Sequence, residues 1–461
     1  MIINIFFLIF IILFSSILSY LTFPLYADDY NFTSLDSPIE TIEKMLNSKL
    51  YINITIGSDK INVKSLLVLD REEFMIAGNN IINHTYNETS SKSYNCSYCK
   101  SKDFYYGWYC EGILSTEDFT VENEQNETKL IHNMKFILGT KSLYSKPPQG
   151  FIGLHLPYYD SDVEYNLIRS LKNANAIKSY NWFLYFGKEH KFIVDGFPHD
   201  LDSKKYNAEK NKTVGAINGG YYTVWGLYFT DIYIFTNNTR RNISNELHRK
   251  ADIKIDYKLI IAPEETAIIL DQEFFDEYYN KNICFKGSLG EYREGFIYCK
   301  NIKEFEVTKF KTIYFKSLGL YRTFSLNFND LFYYKDDYVY FLLLFKNSYW
   351  TFGELFLRKY YLVFNQDAKA ISFYGEEEEE NEQKNKNEEN KKNKKNKFEF
   401  KLNFTNVLLL LILITIIVVG IVLYIKKGKR KNRANELDDD NYEYDATINA
   451  NEDAKNKILE N

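Results

Sequence analysis

Two charge-free apolar runs, residues 2–18 and 407–425, bracket the chain and constrain where everything between them folds. The first stands at the very start and reads as the apolar region of a signal peptide, residues 1–19, although no basic residue precedes it. The second is long enough to cross a hydrocarbon core of about 30 Å as a helix. A buried core helix is the alternative. The lysine-rich linker before the run and the cluster Lys426, Lys427, Lys429, Arg430, Lys431 and Arg433 after it argue against that alternative and place the following side in the cytosol. The pattern predicts a type I membrane protein with one span at 407–425 and a cytoplasmic tail at 426–461. Its ectodomain is expected to be lumenal or extracellular, in the secretory pathway or at the cell surface.

Sequons agree with that topology. Asn31, Asn53, Asn83, Asn87, Asn95, Asn126, Asn211, Asn237, Asn242 and Asn403 each begin an Asn-x-Ser/Thr, and all precede the apolar run at 407–425. A glycoprotein is expected. The five cysteines also precede that run, on the side where disulfides form. Cys284 and Cys299 make a plausible local bridge, whereas Cys96, Cys99 and Cys110 leave one thiol over. The Cys96-x-x-Cys99 spacing also admits zinc, but a structural zinc needs four ligands, and no metal is expected. The net charge of −5 gives no case for nucleic-acid binding. The basic cluster is a topology signal with, at most, weak attraction to anionic lipid.

Between the ends, residues 28–375 are rich in Tyr, Phe and Ile in short alternating runs, such as Leu50-Tyr51-Ile52-Asn53-Ile54-Thr55-Ile56-Gly57 and residues 338–344. That period of two predicts a mostly β ectodomain. Helical patterns are few, the best being 165–176 and 272–279. After residue 375 the composition collapses to Glu, Lys and Asn, which cannot bury a core, so 376–404 is expected to be a charged disordered stalk.

Trp350-Thr351-Phe352-Gly353-Glu354-Leu355-Phe356-Leu357-Arg358-Lys359-Tyr360-Tyr361-Leu362-Val363-Phe364-Asn365, closed by Ala370-Ile371-Ser372-Phe373-Tyr374, resembles the last motif of pepsin-like aspartic proteases. Other segments follow in the family's order. Residues 50–57 with Val63-Lys64-Ser65-Leu66-Leu67-Val68-Leu69-Asp70 resemble its opening hairpin. Tyr106-Gly107, with Gly112 and Asp118 after it, is similar to the flap that closes over bound peptide. Gln149-Gly150-Phe151-Ile152-Gly153-Leu154 matches its Asp-Gly-Ile-Leu-Gly-Leu, and residues 181–186 and 219–228 resemble the passage between lobes. The resemblance implies a bilobal pepsin-like fold, with a first lobe at 45–195 and a second at 196–375.

The family's chemistry uses two aspartates that share one proton, because like charges about 3 Å apart cannot both ionise. Each sits in an Asp-Thr/Ser-Gly turn. Asp70 occupies the first position, but Arg71, Glu72 and Glu73 follow it. Spacing back from Leu270-Asp271-Gln272-Glu273-Phe274-Phe275 puts Ala262 at the second position, and alanine transfers no proton. A register using Asp256 is the alternative, but Asp256-Tyr257-Lys258 has neither the hydroxyl nor the glycine. Glu72, Glu73, Glu264 or Glu265 could rebuild an acid pair with Asp70; acidic residues in turns are more often simply solvated. No Gly-x-Ser-x-Gly, His-Glu-x-x-His or phosphate-cradling loop is present, and the six histidines lack metal-ligand spacing. The expectation is a degenerate aspartic protease, needing no cofactor, that holds a peptide or protein in its cleft. The alternative is an active membrane-anchored endopeptidase with an atypical acid pair.

Overall fold

The computed structural model describes residues 20–374, except 28–31, 34–35, 83–84, 97–98, 101, 104–108, 124, 126, 143–144, 157–162, 219–222, 256–257, 291–293, 318 and 347. The described residues all lie in one compact unit. The apolar runs, the stalk and the tail lie outside them, and no described helix is long and apolar enough to cross a membrane.

Alternation becomes strand directly. In Leu50–Ile56 (β2) the even positions are at most 2% exposed while Asn53 faces solvent, so one face builds the core. β2 pairs antiparallel with Ile61–Val68 (β3) on one side and with Leu21–Ala27 (β1) on the other. Between β1 and β2 lies the helix Pro38–Asn47 (α1), closed by a capping box of Ser37 and Glu40 with proline in its first turn. The fold therefore engages the chain well before residue 45.

The first-lobe sheet continues from β3 to Gly150–Gly153 (β7), then to Phe74–Ala77 (β4), Thr128–Ser142 (β6) and Tyr109–Asn123 (β5). On its other flank it runs from β1 through His190–Val194 (β9) and Asn181–Phe186 (β8) into strands from the end of the chain. These are Leu362–Asn365 and Ala370–Phe373, with Lys212–Gly215 at the edge. One continuous sheet thus joins the two lobes. The short helix Leu167–Asn173 (α2) packs on β6, inside the predicted stretch 165–176.

The second lobe is built on Lys250–Ile253 (β10), Ile260–Pro263 (β11), Cys284–Leu289 (β12), Glu294–Lys300 (β13), Phe332–Lys335 (β14), Tyr338–Phe341 (β15), Leu343–Lys346 (β16) and Trp350–Phe352 (β17). Its helical stretch starts earlier than predicted. Glu264–Leu270 (α3) follows β11 at once, and a wider turn at Asp271–Phe275 leads into Asp276–Asn280 (α4). The helix Glu354–Lys359 (α5) leaves β17.

Cys284 and Cys299 face each other across β12 and β13, Cα atoms 4.0 Å apart, and are disulfide-bonded. Cys96 and Cys99 are bonded as well. The bridge across β12 and β13 closes a loop whose ends are 15 residues apart, so Cys284→Ser with Cys299→Ser is expected to cost about 3 kcal/mol through loop entropy in the unfolded chain. Urea unfolding measures it.

Candidate functional site

Each lobe is organised around the same four-strand weave. In the first, β3 runs parallel to β7, β7 antiparallel to β4, and β4 parallel to β6. In the second, β10 runs parallel to β17, β17 antiparallel to β11, and β11 parallel to β16. The loop between the first and third strands of each weave is therefore equivalent: residues 69–73 in the first lobe and 254–259 in the second.

Registers make the equivalence residue by residue. Leu67 faces Ile152 and Phe74 also faces Ile152. Ile253 faces Phe352, and the pairing of Ile261 with Thr351, continued one step, brings Ile260 opposite Phe352. Both loops thus carry six residues between the two matched positions, Val68 to Glu73 and Lys254 to Leu259. Buried Leu69 answers to buried Ile255, at 5% and 1% exposed, and the next residue in each is an aspartate, Asp70 and Asp256. Asp256 and Tyr257 themselves lie outside the described residues.

That count corrects the placement of Ala262. Ala262 sits inside β11, fully buried and opposite Phe345, beyond the loop altogether. Glu264 and Glu265 open α3, where carboxylates suit the positive end of the helix. Glu265 accepts from the Asn245 backbone N–H at 2.8 Å and lies 3.1 Å from His248 Nδ1. Neither glutamate belongs to the loop that carries the second aspartate.

The first loop is held from below by backbone. Gly153 N–H donates to Glu73 O, Leu154 N–H to Val68 O and His155 N–H to Arg71 O, each at 2.8 Å. Buried Asn166 caps α2 with its Oδ1 and donates Nδ2 to both Glu72 O, at 2.8 Å, and Gly153 O, at 2.9 Å. On this base Asp70 points outward, its side chain 54% exposed, with Arg71 Nε 3.8 Å from Oδ2. Glu72 turns instead towards His155, with Oε1 4.0 Å from Nδ1. The equivalent of Glu72 in the second loop is Lys258, whose carbonyl accepts from Leu355 N–H at 3.1 Å. Beside it Glu354 is 1% exposed and bonded to Arg358 at 2.5 Å.

The family model described as Eukaryotic aspartyl protease matches residues 77–375, well over half the chain. This chain belongs to the eukaryotic aspartyl protease family. Among solved structures it is similar to Basic 7S globulin from soybean, at 10% identity and a TM-score of 0.54, covering 78% of this chain and 95% of that one. That likeness shows the fold. Comparison with curated proteins gives no match. The matched segment begins seven residues after Asp70, so the family match includes the second loop and leaves out the first.

Within this aspartyl protease fold the expected flap residues Tyr106 and Gly107 lie outside the described residues. Asn53, Asn95, Asn211, Asn237 and Asn242 are exposed and Asn87 is half-buried; Asn31, Asn83, Asn126 and Asn403 are outside the described residues. No group of His, Cys, Asp or Glu among the described residues could hold a metal ion.

Sequence reading gave His155 and Asn166 no role in the site, took Glu354 only as part of the closing motif, and met Lys258 in the alternative register through Asp256. Burial pushes the His155 imidazole below its ordinary pKa of 6.5 and Arg71 adds to that. Its hydrogen bond to Leu156 O and the charge of Asp70 pull the other way. A base depressed in the folded chain takes up protons on unfolding. Its contribution to stability is complete above about pH 6.5 and is lost as pH falls below that value. The expected result is a melting temperature that drops between about pH 7.5 and pH 5.5, with a smaller drop in His155→Gln. His190, depressed by burial and Arg358, supplies part of what remains.

Proposed function

We propose that this chain is a type I membrane protein whose aspartyl protease ectodomain holds an extended peptide or protein segment between its lobes without cutting it. The observation that carries the reading is the filling of both loops. The family turn needs a hydroxyl residue after each aspartate and then a glycine that lets backbones approach. Here the corresponding pairs are Arg71-Glu72 and Tyr257-Lys258. Asp70 is open to solvent and stands beside the Arg71 guanidinium, where the family's turn places a hydroxyl. A long cleft between two sheets can still bind extended backbone through hydrogen bonds. The bracketing apolar runs support the membrane-anchored topology.

One observation favours a second reading, an acid endopeptidase. Counted between paired positions, both connections run six residues and carry an aspartate third, Asp70 in one and Asp256 in the other. The full-length chain, assayed against a peptide library between about pH 3 and pH 7, separates the two. No cleavage by a folded chain, together with saturable binding of library peptides, is expected. Cleavage blocked by a statine-type inhibitor and abolished by Asp70→Asn or Asp256→Asn would establish the second reading.

A further inference from the structure

β1 changes partners along its length. Over Leu21 to Pro24 it lies opposite β9, and at Leu21 and Thr22 also opposite β5; from Leu25 onward it lies opposite β2. The exchange falls at Pro24, which has no N–H to offer a neighbour. A cleft of about 300 Å³ opens there, lined from β1, from Glu122 of β5 and from Glu189, His190 and Lys191 where β9 begins. None of its lining residues belongs to the loops at 69–73 and 254–259.

Residues directly opposite one another share a face of a sheet, as do alternate residues of one strand. Thr22 stands opposite Glu122, Pro24 opposite Lys191 and Tyr26 opposite Tyr51, so all six side chains stand on one face. The Tyr26 and Tyr51 rings stack, centroids 5.3 Å apart and planes 22° from parallel, and Lys64 Nζ lies 3.9 Å from the Tyr51 centroid. Of the two rings Tyr26 lines the cleft, and it is 40% exposed. The stack therefore ends at the cleft in an open aromatic ring. Groups of both signs surround it. Lys191 Nζ is paired with Glu189 at 3.2 Å. Glu122 is exposed, and neither its carboxylate nor the His190 imidazole has a hydrogen-bond partner among the described residues. This mixture disfavours a charged ligand, because a cation meets the Lys191 ammonium and an anion meets two glutamates. To a neutral ligand it offers acceptors and donors together.

We infer that the cleft binds a pyranose ring, with one C–H face of the sugar laid on Tyr26 and its hydroxyls donating to Glu122 and accepting from Lys191 and His190. A sugar ring presents an apolar face and a rim of donors and acceptors without net charge, which is what an open tyrosine ring among mixed polar groups selects. The cleft stands at the small end of ligand sites, the size for one or two rings. Its occupancy is independent of what the lobes do with peptide.

The probes are the methyl glycosides of glucose, galactose, mannose and N-acetylglucosamine, a released N-linked oligosaccharide, and arginine amide. Each is titrated against the full-length chain by saturation-transfer NMR. At least one sugar is expected to bind, its ring C–H protons receiving most of the saturation. Tyr26→Ala and Glu122→Gln are each expected to weaken it by about fivefold or more, whereas Tyr26→Phe, which keeps the ring, holds it within about twofold. If Tyr26→Ala fails to fold, Glu122→Gln and Tyr26→Phe decide. Binding of a methyl glycoside identifies a free sugar as sufficient, and binding of the oligosaccharide alone identifies a glycan. Three results overturn the inference: no sugar binds, sugar binding is unchanged in Glu122→Gln, or arginine amide binds in place of sugars and is lost in the same variants. The last would make the cleft a seat for a basic side chain.

Discussion

Gly153→Ala is expected to unfold the first lobe at temperatures the wild type tolerates. A Cβ at that position would lie 2.5 Å from the carbonyl carbon of Glu72 and 2.6 Å from Arg71 O. Both are backbone atoms, so no side chain can swing away. Nor can the loop rise, because Asn166 Nδ2 ties Glu72 O to Gly153 O and Gly153 N–H is bonded to Glu73 O. Overpacking a core by a methyl group costs about 1–3 kcal/mol where side chains can adjust, and more where they cannot. Against a total stability on the order of 5–15 kcal/mol, a loss of about 3 kcal/mol or more is a large share. Urea unfolding followed by circular dichroism measures it. A loss under about 1 kcal/mol would show that the loop carrying Asp70 shifts freely on its base and that the close crossing of β7 beneath it is not what fixes the site.

The segment Gly150-Phe151-Ile152-Gly153 was read only as a match to a family motif, but its form has a physical reason: a short apolar run between two glycines suits a strand that passes close under another backbone. Asp70 was read from the resemblance of Val63 to Asp70 to the family's opening hairpin. The second loop was not. Counting back from Leu270-Asp271 assumes that a turn precedes the helix, whereas α3 begins directly at the end of β11, and Glu264-Glu265 favour a helix start over a turn. What matches Asp256 to Asp70 in the count along the chain is the pairing of β10 and β11 with β17, a contact between segments far apart in sequence that no local pattern encodes. α1 had a local signature in Ser37-Pro38-Ile39-Glu40. Its destination on the other lobe, where Ile42 and Met45 pack with Leu259 and Leu344, had none, since amphipathicity says that a face will be buried without saying against what.

Trp182→Ala is the second large effect, and it tests the seam between the lobes. Trp182 is fully buried in β8 and stacks on Phe364 from the closing strands, centroids 4.3 Å apart and planes 14° from parallel. Its ring also meets Trp225 edge-on at 6.3 Å. β8 and the strand Leu362–Asn365 pair through Asn181 with Asn365 and Trp182 with Phe364, so the stacked rings stand directly on the joint. Truncation should cost about 3–5 kcal/mol, including about 0.5–1.5 kcal/mol from the aromatic pair beyond its buried area. Because the loss falls on the joint, the expected signature is a single calorimetric transition in the wild type that broadens or splits in the variant, with faster hydrogen exchange in Leu362–Asn365 and Ala370–Phe373. The consequence reaches the site. Trp225, which leans on both Trp182 and Phe364, donates Nε1–H to Leu154 O at 2.8 Å. Leu154 donates its own N–H to Val68 O and lies between Gly153 and His155, which also bond the first loop. A seam loosened at Trp182 should therefore also lower peptide binding, while an unchanged midpoint with unchanged binding would show that the lobes are held together elsewhere.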